Sequence, residues 1–386
     1  MIYELLYPLS QRFGWASALN VLRYTPFRAI MSVLTAMLMS FLLAPWFIRT
    51  LRGKQIKQII RSDGPQSHLS KAGTPTMGGA LILLSCLLPT ILWADVKNSF
   101  VLATTAVTAG YGLIGYLDDR LKITGKSSKG LPGRYKILGQ LLIGGVVLGY
   151  LFLSTEGTGW VFTSTEGLPE GWLEIRHRLS VPFLAFSKHP IELAGWAYFL
   201  FALFVVIGTS NAVNLTDGLD GLAIGPVMVS SGTYLVWAYV AGSVLFGRPL
   251  AGYLDIAGIP EMAELSVFAA AVIGSGIGFL WYNTYPAQVF MGDVGSLALG
   301  GGLGMLAVLT KNELLSSILG GIFVLEALSV ITQVASYKMF GRRVFLMAPI
   351  HHHFEQKGWP EPRIIVRFWI ISLLLALVAL SSIKLR

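Results

Sequence analysis

Ten apolar runs of near bilayer-spanning length alternate with polar connections along the chain. They lie near Ile30–Ile48, Met77–Trp93, Phe100–Leu117, Ile137–Leu153, Leu193–Gly208, Leu222–Leu245, Leu265–Trp281, Val289–Leu309, Leu314–Val334 and Ile364–Ile383. A bilayer core is crossed by about 17–25 helical residues, and backbone in lipid must satisfy its own hydrogen bonds. The pattern therefore predicts an all-α integral membrane fold of about ten transmembrane helices in one domain, residues 1–386.

The long connection Ser154–Glu192, with short stretches such as GWVFT and WLEIRHRLSV, reads as a small external hairpin-like cap. Residues 248–262 form a second external loop. No cleavable leader is evident, so the first run acts as the topogenic signal.

Lys and Arg placement sets the orientation. Arg49, Arg52, Lys54, Lys57 and Arg61 follow the first run, which puts both termini outside and the connections at about 49–76, 118–136, 209–221, 282–296 and 338–363 in the cytoplasm. With their flanking turns and Glu326 they hold 18 Lys+Arg against 9 Asp+Glu, so the whole net charge of +9 falls on that face. Topology alone produces such a bias; a surface that attracts nucleotides or anionic headgroups is the sharper reading.

Only 13% of the 386 residues are charged and 54% are hydrophobic, whereas roughly a quarter are charged in soluble domains. Soluble enzyme folds are excluded. A nucleic-acid partner is not expected, because no basic soluble module is present. Cys86 is alone, which removes an intramolecular disulfide or a thiolate metal site.

The unusual polar residues gather in the connections expected on the cytoplasmic face. GYLDDRLK places Asp118 and Asp119 side by side at the end of an apolar run. An Asp at the bilayer centre costs about 2.5–3.5 kcal/mol, so the pair belongs at an interface or in an aqueous cleft. Helix-end carboxylates balanced by Arg120 and Lys122 are the plain alternative; a functional path is the other. NAVNLTDGLDG supplies Asn211, Asn214, Asp217 and Asp220. If helical, it carries 214, 217 and 221 on one face; if not, it is turn chemistry.

FMGDVGS sets Asp293 between glycines, close to Asn283 and Phe290. Carboxylates of this kind suit magnesium, which takes one or two acids, phosphates and water, whereas zinc prefers nitrogen and sulfur. In HHHFE, three consecutive helical residues would point about 100° apart, so His351, His352 and His353 cannot share one small ion. A solvated loop, or imidazole contact with phosphate or a base ring, remains. KAGTPTMGG adds Lys71, Thr74 and Thr76 but lacks a Walker pattern. Acids for a hard cation and lysines for phosphate, beside lipid, suggest phosphoryl transfer.

GTPTMGG, LDDRLK, NAVNLTDGLDG, FMGDVGS and PIHHHFE, in that order between ten runs, resemble the bacterial phospho-N-acetylmuramoyl-pentapeptide transferases, of the polyprenyl-phosphate N-acetylhexosamine-phosphate transferases. The resemblance implies a Mg²⁺-dependent enzyme of the bacterial inner membrane. Its reaction joins UDP-MurNAc-pentapeptide to undecaprenyl phosphate on the cytoplasmic face, giving lipid I and UMP. It implies a homodimer. Asp293 matches the family's metal-binding acid, and Asp118 and Asp119 its essential pair, possible metal ligands too. Asn211, Asn214, Asp217 and Asp220 match the nucleotide-sugar side. Asn283, Phe290, Lys71, Thr76, Lys122 and Lys136 match other cleft positions. His351 is read as catalytic and His352 as a substrate contact. A sister enzyme moving GlcNAc-phosphate is the near rival, and a transporter the distant one.

Overall fold

A computed structural model describes residues 1–53, 73–125, 130–155, 164–245 and 247–384. In chain order the helices are α1 Ile2–Arg12, α2 Thr25–Gly53, α3 Gly79–Trp93, α4 Ser99–Thr124, α5 Gly133–Leu153, α6 Glu170–Ile175, α7 Gly195–Thr216 and α8 Ile224–Gly242. They continue as α9 Leu250–Leu254, α10 Leu265–Asn283, α11 Gly292–Leu309, α12 Leu315–Leu319, α13 Gly321–Phe340, α14 Ile350–Gln356 and α15 Glu361–Ser381. Each of the ten expected runs meets one of these helices.

Nine helices among the described residues are long and apolar enough to cross a membrane, and α3 is a shorter apolar one. The fold is an all-α, multi-pass membrane protein. At 15 residues, α3 spans only about 22 Å, less than the ~30 Å of a hydrocarbon core.

Three differences from the sequence reading bear on the site. The ninth run is not continuous: it breaks at Gly320 into α12 and α13. Second, the connections are shorter than expected because helices run on into them. The α4 helix reaches Thr124 and α7 reaches Thr216, while α13 runs to Phe340, α14 covers Ile350–Gln356 and α15 starts at Glu361. Asp118, Asp119, Asn211 and Asn214 are thus helical residues. Third, α7 stops before the face expected for 214, 217 and 221 is complete; Asp217 is its C-cap.

The bundle is built around α11, in which every residue from Val294 to Leu309 is buried. Helices in lipid gain nothing from hydrophobicity alone and pack closely through small residues. A Cβ on Gly300 would stand 2.6 Å from the Cα of Ser210, and one on Gly304 2.7 Å from that of Val206. The absence of side chains there is what lets α7 lie along α11. At the start of α4, Asn98 Oδ1 accepts from Phe100 N at 3.0 Å and Val101 N at 3.2 Å, capping the helix.

The expected cap does contain a hairpin. Its strands, β1 Arg178–Leu179 and β2 Ile191–Glu192, pair antiparallel, with Arg178 opposite Glu192. Trp172 of α6 anchors it: the ring is fully buried, its Nε1 donates to Leu151 O at 3.1 Å, and Phe100 and Phe152 pack on it. Just past α11, Lys311 is buried too; its Nζ donates to Arg176 O at 3.0 Å and to Tyr198 Oη, and lies 3.3 Å from Glu313 Oε1. One lysine thus ties the cap to the central helix, at the end of α11 opposite Asp293.

Candidate active site

Two backbone segments frame the site. Phe290 N donates to Pro75 O at 2.9 Å, and Gly78 N and Gly79 N donate to Phe290 O and Met291 O at 2.8 and 2.7 Å. The motifs GTPTMGG and FMGDVGS are therefore bonded to each other. Lys71 lies outside the described residues.

Asp293 sits in the first turn of α11, where free backbone N–H groups favour an anion. Asp118 and Asp119 lie on the buried side of α4. The two helices meet because Gly115 has no side chain: a Cβ there would be 2.1 Å from Asp293 O. One carboxylate oxygen from each of Asp118, Asp119 and Asp293 falls within 4.8 Å of the others. Asp119 Oδ2 accepts from Val294 N at 3.3 Å, and Asp118 Oδ1 from Leu131 N at 2.6 Å.

Gly292, at φ +71°, closes the same turn. A Cβ on it would meet Asp119 Oδ2 at 2.4 Å and Thr76 Oγ1 at 3.0 Å, which puts Thr76 at the site and leaves no room for a larger residue.

Two lysines stitch the acids together. Lys122 Nζ lies 2.5 Å from Asp118 Oδ2, 3.4 Å from Asp119 Oδ1 and 3.2 Å from Asp293 Oδ1. Lys136 Nζ lies 3.0 Å from Asp118 Oδ1 and 2.6 Å from Asp293 Oδ2. Three clustered carboxylates repel each other when ionised, and two ammonium groups offset most of that. The donors are all hard oxygens, so the set fits a divalent ion such as magnesium.

The other expected residues divide. Asn214 joins the site: its Nδ2 donates to Ser296 Oγ at 2.8 Å, and Ser296 Oγ donates to Gly292 O at 3.0 Å. Asp217 faces the same acids. Desolvation, and after it the charges of Asp293, Asp119 and Asp220, push its carboxyl well above the ordinary range. Asn211 is turned to scaffolding, its Nδ2 donating to Gln140 Oε1 at 2.8 Å and to Ile207 O at 2.9 Å. Asp220 braces the loop, with Oδ2 accepting from Ala287 N at 2.9 Å and its own N donating to Glu361 Oε1 at 2.8 Å. Asn283 is buried and its Nδ2 donates to Val289 O at 2.9 Å. Phe290 is half-buried beside Gly78, to which its carbonyl bonds.

The three histidines of α14 have three separate partners. His351 Nδ1 lies 3.0 Å from Glu326 Oε1, His352 Nδ1 lies 2.6 Å from Glu355 Oε2, and His353 Nδ1 accepts from Leu346 N at 3.1 Å. His351 Nε2 points at Gly218, where a Cβ would come within 2.1 Å.

Glu326 is the residue that sequence reading missed. It was counted only as a charge within the ninth run, yet an acid alone in GIFVLEALSVI carries a signal of its own, since ionisable groups at membrane depth are expensive and kept for use. Gln140 and Ser296 had no such signal; their roles come from contacts only the fold creates.

Acids, ammonium groups and hydroxyls thus converge at helix ends of a multi-pass membrane protein. The glycosyl transferase family 4 model matches residues 101–311, and signature 1 of the phospho-N-acetylmuramoyl-pentapeptide-transferases matches residues 71–83. The chain is 68% identical over 386 residues to the phospho-N-acetylmuramoyl-pentapeptide-transferase of Sorangium cellulosum, covering all of both chains. Identity is 55% over 387 residues to that of Anaeromyxobacter sp. strain Fw109-5, and 51% over 389 residues to that of Citrifermentans bemidjiense, again over the full length of each. The chain belongs to the phospho-N-acetylmuramoyl-pentapeptide-transferase family of enzymes.

Proposed function

We propose that the protein transfers phospho-MurNAc-pentapeptide from UDP-MurNAc-pentapeptide to undecaprenyl phosphate, yielding lipid I and UMP, on the cytoplasmic face of the inner membrane. The reading includes a homodimer. One observation carries it: Asp118, Asp119 and Asp293, from two helices, share one site with Lys122 and Lys136 between them.

The nucleophile is a phosphate monoester, whose second pKa is near 6, so it is largely ionised at neutral pH. No strong protein base is needed. What opposes the reaction is repulsion between two anions. Lys122 and Lys136 offset it, and Asp118 accepts any residual proton and orients the attacking oxygen. The lipid phosphate attacks the sugar-bearing phosphorus directly; one P–O bond forms, the bond to UMP breaks, and UMP leaves with its electron pair. Asp293, with Asp118 and Asp119, would hold Mg²⁺, which when bound supplies Lewis-acid neutralisation of phosphoryl charge.

The test is UMP release by purified protein given undecaprenyl phosphate, Mg²⁺ and either UDP-MurNAc-pentapeptide or UDP-GlcNAc. Release with the first alone is expected. Release with UDP-GlcNAc alone would transfer the assignment to the sister activity.

A further inference from the structure

Beyond the acid site, a shallow cavity of about 380 Å³ opens between the loop after α13 and the far side of α14, lined by Arg343, Val344, Phe345, Leu346, His353 and Lys357. Its loop is held in place. Gln333 Oε1 accepts from Val344 N and Phe345 N at 3.0 and 2.9 Å, and Gln333 Nε2 donates to Phe345 O at 3.0 Å. Leu346 N is bonded to His353. Val344 and Leu346 are more than half exposed, so apolar surface and two cations share one preorganised pocket. Burial, then Lys357, lowers the His353 pKa.

The place of this pocket matters. His351 packs against Gly218, one residue from Asp217. Along α14, Lys357 is six residues further on, about 9 Å at 1.5 Å per residue. Five extended residues reach up to about 17 Å. The pocket lies across α14 from Gly218, so a helix width of about 10–12 Å adds to the rise along it and the path is about 14 Å, still within reach. A peptide hanging from a sugar held near Asp217 can therefore enter the pocket, and a peptide ends in a carboxylate.

We propose that this pocket receives the peptide arm of the donor, with a peptide carboxylate against Arg343 and Lys357 and apolar side chains on Val344 and Leu346. The inference rests on the donor assigned above and names the part of the chain that reads its peptide. The plain alternative for these cations is topological charge, which has no interest in the donor.

The experiment is a kinetic cycle on the full-length protein, crossing Arg343→Met/Lys357→Met with a donor whose peptide carboxylates are amidated. Both side chains are exposed, so an unchanged melting temperature is expected for the variant and is measured beside the kinetics. For wild type, amidation should raise the donor KM about tenfold, the scale of a charge-assisted contact. For the variant, amidation should change KM less than about twofold, because the partner is already gone. The variant should also raise KM for the unmodified donor about tenfold with kcat nearly constant. Amidation that costs the variant as much as wild type overturns the inference, as does a change confined to the KM of undecaprenyl phosphate, which would mark a lipid-headgroup site. Absence of UMP release by wild type from either donor would instead sink the function proposed above, and this inference with it.

Discussion

Glu326 Oε1 lies 3.0 Å from His351 Nδ1, and both side chains are sealed from solvent. That contact orients the imidazole, with Nε2 turned toward Gly218 and the Asp217 loop. A carboxylate that orients an imidazole in this way is a positioning group. Glu326→Gln should lower kcat about ten- to a hundredfold and alter the pH profile of kcat, with circular dichroism unchanged. Turnover within twofold of wild type would refute the positioning role.

Gly218→Ala tests the same arrangement from the other side. A methyl group 2.1 Å from His351 Nε2 cannot coexist with the present ring position. The variant should resemble Glu326→Gln in its kinetics, and a wild-type rate would show that the position of His351 is unimportant.

Asp293 carries the charge that pairs with Lys122 and Lys136 at once. Asp293→Asn keeps its size and removes that charge. Less than a tenth of the wild-type rate of UMP release should remain, in a protein of normal thermal stability. Chelation should abolish wild-type turnover and added Mg²⁺ restore it. Turnover that survives exhaustive chelation would remove the metal from the scheme.

Gly115 permits α4 to touch α11. In Gly115→Ala, the new Cβ would overlap the Asp293 carbonyl, and overpacking of this kind costs about 1–3 kcal/mol. A lower melting temperature in detergent and a larger loss of turnover are expected together, since the clash lies one helical turn from Asp118 and Asp119. An unchanged melting curve would mean that the helices separate freely.

Lys311, at the other end of α11, gives a pH prediction. Burial outweighs the pull of Glu313 and lowers its pKa from 10.5 to about 8. The unfolded chain then binds more protons than the folded one between pH 8 and 10.5. By linkage, stability from this group rises as pH increases through that window. Below pH 8 both states are protonated and the group adds no slope. Lys311→Met should remove this rise, seen as the wild-type minus variant difference in melting temperature against pH. It should also lower stability near pH 7 by about 3–5 kcal/mol, because Glu313 is left buried without its cation.

Much of the architecture was legible in the order of apolar and polar residues. A bilayer fixes the length of what crosses it and forbids unpaired backbone, so the number and type of the main elements follow from spacing alone. The same rule pushes acids to helix ends, which made Asp118, Asp119 and Asp293 stand out, while their grouping into one site came from the family resemblance.

Which polar groups meet was decided by packing. Lys136 and Asp293 are 157 positions apart, and no local pattern relates them; they touch because α5 packs on α4 and α7, which glycines let close on α11. Asp217 and Asp220 read alike in TDGLDG, yet the end of α7 at Thr216 sends one toward the acids and the other to Ala287 and Glu361. Glu326 stands out in its apolar run, but its partner His351 is set against it only by the packing of α14 on α13. Apolar spacing reports a residue's relation to the solvent, whereas a site depends on relations among side chains, and those exist only after the helices have packed.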